Sequence, residues 1–206
     1  MAEREVRIAE CELRARKQEG GQTVLTGRAI VYNRLSEDLG GFREMFAPGS
    51  LAASLEAHPV ASFWQHDPAY VLGRTSNGTL QLRDGQDGLD FVITPPDTQW
   101  ARDAMVSIER GDVYQMSFGW TPDPNGDEWK MLEGEVLRIV RSARLFEISP
   151  VTFPAYPQTS VELTKRAADL RAQSAGTQPD AGAEDLERAL RAELRRRRIT
   201  LAEVIR

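Results

Sequence analysis

The stretch VYQMSFGW, Val113 to Trp120, sets one serine between Met116 and Phe118, directly after a segment that reads as a helix closed by Gly111. A serine hydroxyl is a weak nucleophile until a neighbouring base takes its proton, and imidazole is the usual base because it titrates near neutrality. The chain holds two histidines, His58 and His66. His66 lies in SFWQHDPAYVLG, where a strand-like aromatic run ends in a His-Asp-Pro turn. Its ring therefore belongs to the rim of a sheet, where catalytic groups gather on a rigid scaffold. His58 closes a short helix before Pro59, and a helix C-terminus suits a charged histidine without any catalytic role. A base also needs an acceptor to orient it. Glu147 stands between Phe146 and Ile148 in the strand-like ARLFEISPVTFPAYP. A carboxylate in such company needs a partner, because burying it unpaired is costly. The partner can be the His66 ring, or Arg144 or Arg74 in a structural ion pair. Asp67 is a poorer orienter, since consecutive strand residues face opposite ways. Spacing alone does not separate a Ser-His-acid enzyme from a chance trio.

Composition narrows the chemistry. The chain has 206 residues, 41% of them hydrophobic and 28% charged, enough to close one core. No run approaches the roughly 20 apolar residues that span a bilayer, and the charged start MAEREVRIAE is unlike a signal peptide, so a cytosolic protein is expected. Cys11 is alone, which excludes an intrachain disulfide and a cysteine metal cluster. A zinc site would need both histidines plus carboxylates, and their spacing does not suit one. No metal or other cofactor is expected; a metal-dependent hydrolase at His66 and Asp67 is the remaining reading of that kind. From Lys165 onward there are ten basic and seven acidic residues, so of the net −5 residues 1–164 carry −8. An acidic body argues against nucleic-acid binding.

Three zones must position these groups. Residues 1–163 alternate strand-like and turn-like segments. EVRIAECELRAR and TVLTGRAIVYN read as half-buried strands about a Gly20-Gly21 hairpin, and NG and DG turns punctuate a set of short strands from Tyr70 to Pro96. SLAASLEAHP reads as a short helix with Ser50 as N-cap. DTQWARDAMVSIERG reads as the main helix, capped by Asp97 or Thr98, with Trp100, Ala104 and Ile108 on its apolar stripe and Gly111 ending it. Two further strands are expected around 114–121 and 136–151, with a loop between them. Strands outnumber helices at short, regular spacing, which predicts an α+β, mainly β fold: a closed or nearly closed β-barrel flanked by helices. Residues 164–183, rich in Ala, Gly, Gln and Ser, read as a flexible linker. Residues 184–206 read as a basic helical tail, with Leu186, Leu190 and Leu194 in register and four arginines at 195–198.

The ordered blocks GRAIVYN…FAPGSL, SFWQHDPAYVLGR, GDVYQMSFGW and LFEISPVTFPAYP resemble the prohead (capsid-maturation) serine proteases of tailed bacteriophages, over residues 5–163. That family looks like a relative of the herpesvirus assembly proteases, whose fold is a β-barrel wrapped in helices. The resemblance implies that Ser117 is the nucleophile, His66 the general base and Glu147 the third member, where the herpesvirus relatives use a second histidine. A glutamate accepts from an imidazole and balances its charge at least as well. Backbone N–H groups at Ala155 or Tyr156, or beside Ser117, are the candidate oxyanion donors, since Pro154 and Pro157 have none. Trp64, Phe118 and Trp120 are candidates for the substrate groove, although the tryptophans suit a core equally. Gly119 suits either close approach of a peptide or a strand bulge.

The resemblance also implies substrates and setting: the major capsid protein and the scaffold, cut inside assembling proheads in the host cytoplasm, with self-processing near the C-terminus. A homo-oligomer is compatible with it; nucleic acid and membrane are not expected partners. The alternative is a catalytically inactive assembly factor that uses the same fold to bind capsid or scaffold.

Overall fold

The structure, a computed structural model, describes residues 4–9, 13–17, 23–153, 161–174 and 191–192. Among these, strands dominate and fall into three hydrogen-bonded sheets. The first has the order β1 (Glu5–Ala9), β9 (Gln115–Pro122), β12 (Ala143–Val151), β5 (Ala61–Trp64), β6 (Asp67–Arg74). The second runs β2 (Leu13–Lys17), β3 (Thr23–Val31), β8 (Gly88–Ile93), β7 (Leu80–Asp84). The third is β10 (Asp127–Leu132), β11 (Glu135–Val140), β4 (Arg43–Phe46). Pairing is antiparallel except for β11 with β4 and β12 with β5.

The fold is α+β and mainly β, but no sheet among the described residues closes into a barrel, which corrects the closed form of the barrel expected from the sequence. Two of the crossings between sheets run through helices. Helix α1 (Ala52–Ala57) lies between β4 and β5, and helix α2 (Gln99–Glu109) between β8 and β9. Turn spacing reports how often a chain reverses, not whether its first and last strands meet.

Packing follows the alternation of each strand. Met116, Phe118 and Trp120 of β9 and Leu145 and Ile148 of β12 face Leu25 and Ile30 of β3 and Leu89, Phe91 and Ile93 of β8 in one continuous core. Ala104, Met105 and Ile108 bring α2 onto it. Each large side chain removed from water here contributes about 1.5–3 kcal/mol. Gly111 takes a left-handed φ of 80° and stops α2 as expected. Thr98 holds the N-cap position of α2 and Leu51 that of α1, neither with a side-chain cap bond, so the Ser50 cap is corrected.

Two further differences matter. The loop expected between β9 and the 136–151 region contains β10, which hairpins onto β11. A third helix, α3 (Val161–Ser174), occupies the first part of the stretch read as a linker. Leu163, Ala167 and Leu170 recur at helical spacing and pack with Leu39, Phe42, Trp129 and Val136. The tail lies outside the described residues apart from 191–192, as do Cys11, the Gly20-Gly21 turn, Ala155 and Tyr156. No helix among the described residues is long and apolar enough to cross a membrane.

The third sheet is joined to the first through charge rather than through strand pairing. The Arg138 guanidinium, 1% exposed, donates to Glu5 at 2.7 and 2.9 Å, to Glu44 at 2.8 Å and to Asp127 at 2.8 Å. Arg7 donates to the same Glu44 at 2.8 Å and also pairs with Glu5. Both guanidiniums lie over the Trp120 indole, at 5.1 Å for Arg138 and 5.8 Å for Arg7. Carboxylates and guanidiniums buried together satisfy one another, whereas removing one partner strands the rest. The cluster fixes β1 against β4, β10 and β11, and so fixes the residue that precedes β1, Arg4.

Candidate active site

The site begins with an irregularity in β12. Leu145 pairs with Trp120, yet Glu147 pairs with Gly119, so Phe146 is an extra residue in the ladder. Without that bulge Glu147 would share the core face with Leu145. With it, Glu147 stands on the opposite face, beside Ser149 and across from Gly119 and Ser117. Bulges re-aim side chains in this way next to functional sites.

A second local device places His66. Strands β5 and β6 pair Trp64 with Asp67, leaving Gln65 and His66 as a two-residue turn with φ of 56° and 63°. A tight hairpin of this kind needs left-handed backbone at both positions, which Asn and Gly adopt more easily than Gln and His. The conformation is secured through Gln65. Its amide donates to Thr152 Oγ1 at 2.6 Å, its side-chain oxygen accepts from Thr152 N at 3.1 Å, and its backbone N–H donates to the Pro150 carbonyl at 3.0 Å. The hairpin tip is thus docked on the end of β12, the strand that carries Glu147 at its middle.

The result is a hydrogen bond from His66 Nδ1 to Glu147 Oε1 at 2.7 Å. Glu147 is 1% exposed. Its carboxylate also accepts from Arg4 Nη2 at 2.6 Å, on the same Oε1, and from the Ser149 hydroxyl on Oε2. Neither Arg144 nor Arg74 pairs with it among the described residues; Arg144 lies over the Phe146 ring at 4.8 Å, and Arg4 faces that ring at 5.5 Å. Because the carboxylate only accepts, Nδ1 carries a proton, and in this tautomer of the imidazole Nε2 is the acceptor. Nε2 is buried and has no hydrogen-bond partner among the described residues.

Ser117 stands on the same face of the first sheet, directly opposite Ser149 on β12. It is fully buried, and its hydroxyl donates to the Arg7 carbonyl of β1 at 2.9 Å rather than to His66. The structure therefore joins His66 to Glu147 and sets Ser117 on the face that Glu147 occupies, two ladder positions along, with its proton directed to the Arg7 carbonyl. Phe118 and Trp120 point the other way, into the core against Phe46, which corrects their assignment to a substrate groove. Trp64 is half-buried against that core. Asp67 does not orient the ring: its carboxylate accepts from Ala69 N at 2.9 Å. No group of three or more His, Cys, Asp or Glu side chains that could hold a metal ion occurs among the described residues.

Sequence reasoning missed Arg4 and Ser149. Ser149 was findable, since it follows Glu147 by two residues on a strand and so shares its face once that strand is recognised. Arg4 had no such signal. The space above Gly119 belongs to it: a side chain at that position would collide with the Arg4 guanidinium.

These features define a serine and a histidine–carboxylate pair on one face of an open mainly-β sheet. Residues 9–174 match the family model described as caudovirus prohead serine protease, and the chain belongs to that family. No curated protein and no solved structure matches it.

Proposed function

We propose that this chain is a serine endopeptidase that cuts scaffold and capsid-protein segments during prohead maturation, and that it also processes itself. The observation that carries the reading is the 2.7 Å bond from His66 Nδ1 to Glu147, whose face of the first sheet also bears Ser117, while Nε2 has no hydrogen-bond partner among the described residues. Membership of the prohead protease family supplies the substrate class and the setting, inside assembling proheads in the host cell.

In this mechanism the Ser117 hydroxyl gives up its bond to the Arg7 carbonyl and donates to His66 Nε2 instead. His66 takes the proton as the serine oxygen attacks the peptide carbonyl, and Glu147 balances the imidazolium that forms. His66 then returns the proton to the leaving amine. Water, activated by the same ring, releases the acyl group. The oxyanion needs backbone donors, for which Ala155 and Tyr156 are the candidates, each donor being worth about 10²- to 10³-fold in rate.

The test is Ser117→Ala in cells that also express the major capsid protein. The variant forfeits one buried hydrogen bond, about 1 kcal/mol, and should fold. Cleavage of the capsid protein should cease while the thermal midpoint stays close to that of the wild type. Processing that continues unchanged overturns the proposal. The complete burial of Ser117 favours a second reading, an inactive assembly factor that binds capsid or scaffold. On that reading neither form cleaves and both bind alike.

A further inference from the structure

Among the described residues Glu147 is the only acidic side chain bonded to the His66 ring, and its Oε1 is shared by two donors: His66 Nδ1 at 2.7 Å and the Arg4 guanidinium at 2.6 Å. Arg4 precedes β1 and lies outside the residues matched by the family model, which begin at position 9. It is held over the site from two directions. The Arg7–Glu5–Glu44–Arg138 cluster fixes the strand that carries it, and the missing side chain at Gly119 makes room for its head. We propose that Arg4 is a positioning residue for the reaction: it balances the charge of Glu147 at rest and holds that carboxylate against His66 Nδ1, so that Nε2 is free to accept the Ser117 proton. The inference rests on the endopeptidase reading above and deepens it.

A buried carboxylate must find positive charge somewhere. With Arg4 present, the resting pair of Arg4 and Glu147 is neutral and the imidazole need not be charged. Without Arg4, the only remaining group bonded to Glu147 among the described residues that can carry positive charge is the ring itself. The resting enzyme would then hold an imidazolium–carboxylate pair, and an imidazolium cannot act as a base. The other charged neighbours do not compensate. Asp67, at the start of β6, is acidic and turned to Ala69, while Arg144 on β12 is engaged with the Phe146 ring. β9 brings Ser117 and Gly119 to this face and β5 pairs Ala61 with Glu147, so neither strand supplies a charge here. Ser149 holds Oε2 and fixes the carboxylate plane without altering the charge.

The experiment compares the full-length wild type with Arg4→Ala and Arg4→Lys, using the rate at which a fluorophosphonate probe labels Ser117 as a function of pH. Arg4→Ala should label about tenfold more slowly near neutral pH and recover to within about threefold of the wild type by about pH 9, the signature of a base that must first lose a proton. Arg4→Lys restores a charge and should recover most of the neutral rate, as should millimolar guanidinium ion added to Arg4→Ala. A uniform loss at every pH, with no rescue, would make Arg4 merely structural. An unchanged or faster neutral rate would overturn the inference outright. A probe that fails to label Ser117 in the wild type counts against the endopeptidase reading instead. In that event the His66 ring proton, followed by nuclear magnetic resonance, still judges Arg4: its titration should move to higher pH in Arg4→Ala, and an unmoved titration overturns the role.

Discussion

Replacing Glu147 by glutamine changes little in shape and removes one charge. In the proposed reaction an imidazolium forms while Glu147 Oε1 stands 2.7 Å from Nδ1, which puts the two charge centres about 4 Å apart. At an effective dielectric constant of about 20 that attraction is about 4 kcal/mol. Most of it is absent while the ring is neutral, so it acts on the transition state more than on the resting enzyme. Each 1.36 kcal/mol is tenfold, so Glu147→Gln should slow acylation by about 10³-fold. The amide can still accept from Nδ1, and Ser149 can still bond to its other end, so the fold should persist. The rate of fluorophosphonate labelling, together with capsid-protein cleavage, measures the effect, and circular dichroism checks the fold. A folded Glu147→Gln protein that loses less than about tenfold would show that this carboxylate does not stabilise the imidazolium, and the argument from charge would fail.

Two other predictions concern the scaffold. Gln65→Ala removes both side-chain bonds to Thr152, so labelling at Ser117 should fall by about tenfold or more while the thermal midpoint drops only a few degrees, as differential scanning fluorimetry can verify. Asp127 gives a pH dependence. Burial pushes its carboxyl upward, but the Trp129 indole N–H and the Arg138 guanidinium outweigh that and hold it below the usual carboxylate range. A carboxyl depressed in the folded state stabilises it fully above the ordinary value, about 3.9, and that contribution is lost as the pH falls through the lower folded value. Urea midpoints on acidification should therefore decline more steeply for the wild type than for Asp127→Asn; parallel curves would refute the coupling.

What the sequence disclosed, and what it withheld, divides along a physical line. Strand β3, helix α2 and the stop at Gly111 were legible because period, capping position and glycine are local properties. Glu147 stood out for the same reason, as a charge in an apolar strand. The turn at Gln65–His66 was read one position late, because the Pro68 signal masked a tight turn with no glycine in it. The third sheet and α3 escaped because their stripes, such as Leu163, Ala167 and Leu170, mean little until the surface they cover is known. Barrel closure failed on similar grounds. The Arg138 cluster gathers residues from four strands, and no spacing in one chain announces it.

The extra residue at Phe146 bears on how relatives should be compared. Which side of the first sheet Glu147 occupies is decided by how many residues separate it from Leu145, not by its own identity. An alignment that shifts this segment by one would match Glu147 to a position such as Ile148, which faces the core, and drop the acid from its column. Counting from the nearer end, Ile148 opposite Phe118, keeps the two strands in phase and makes the acid the meaningful column.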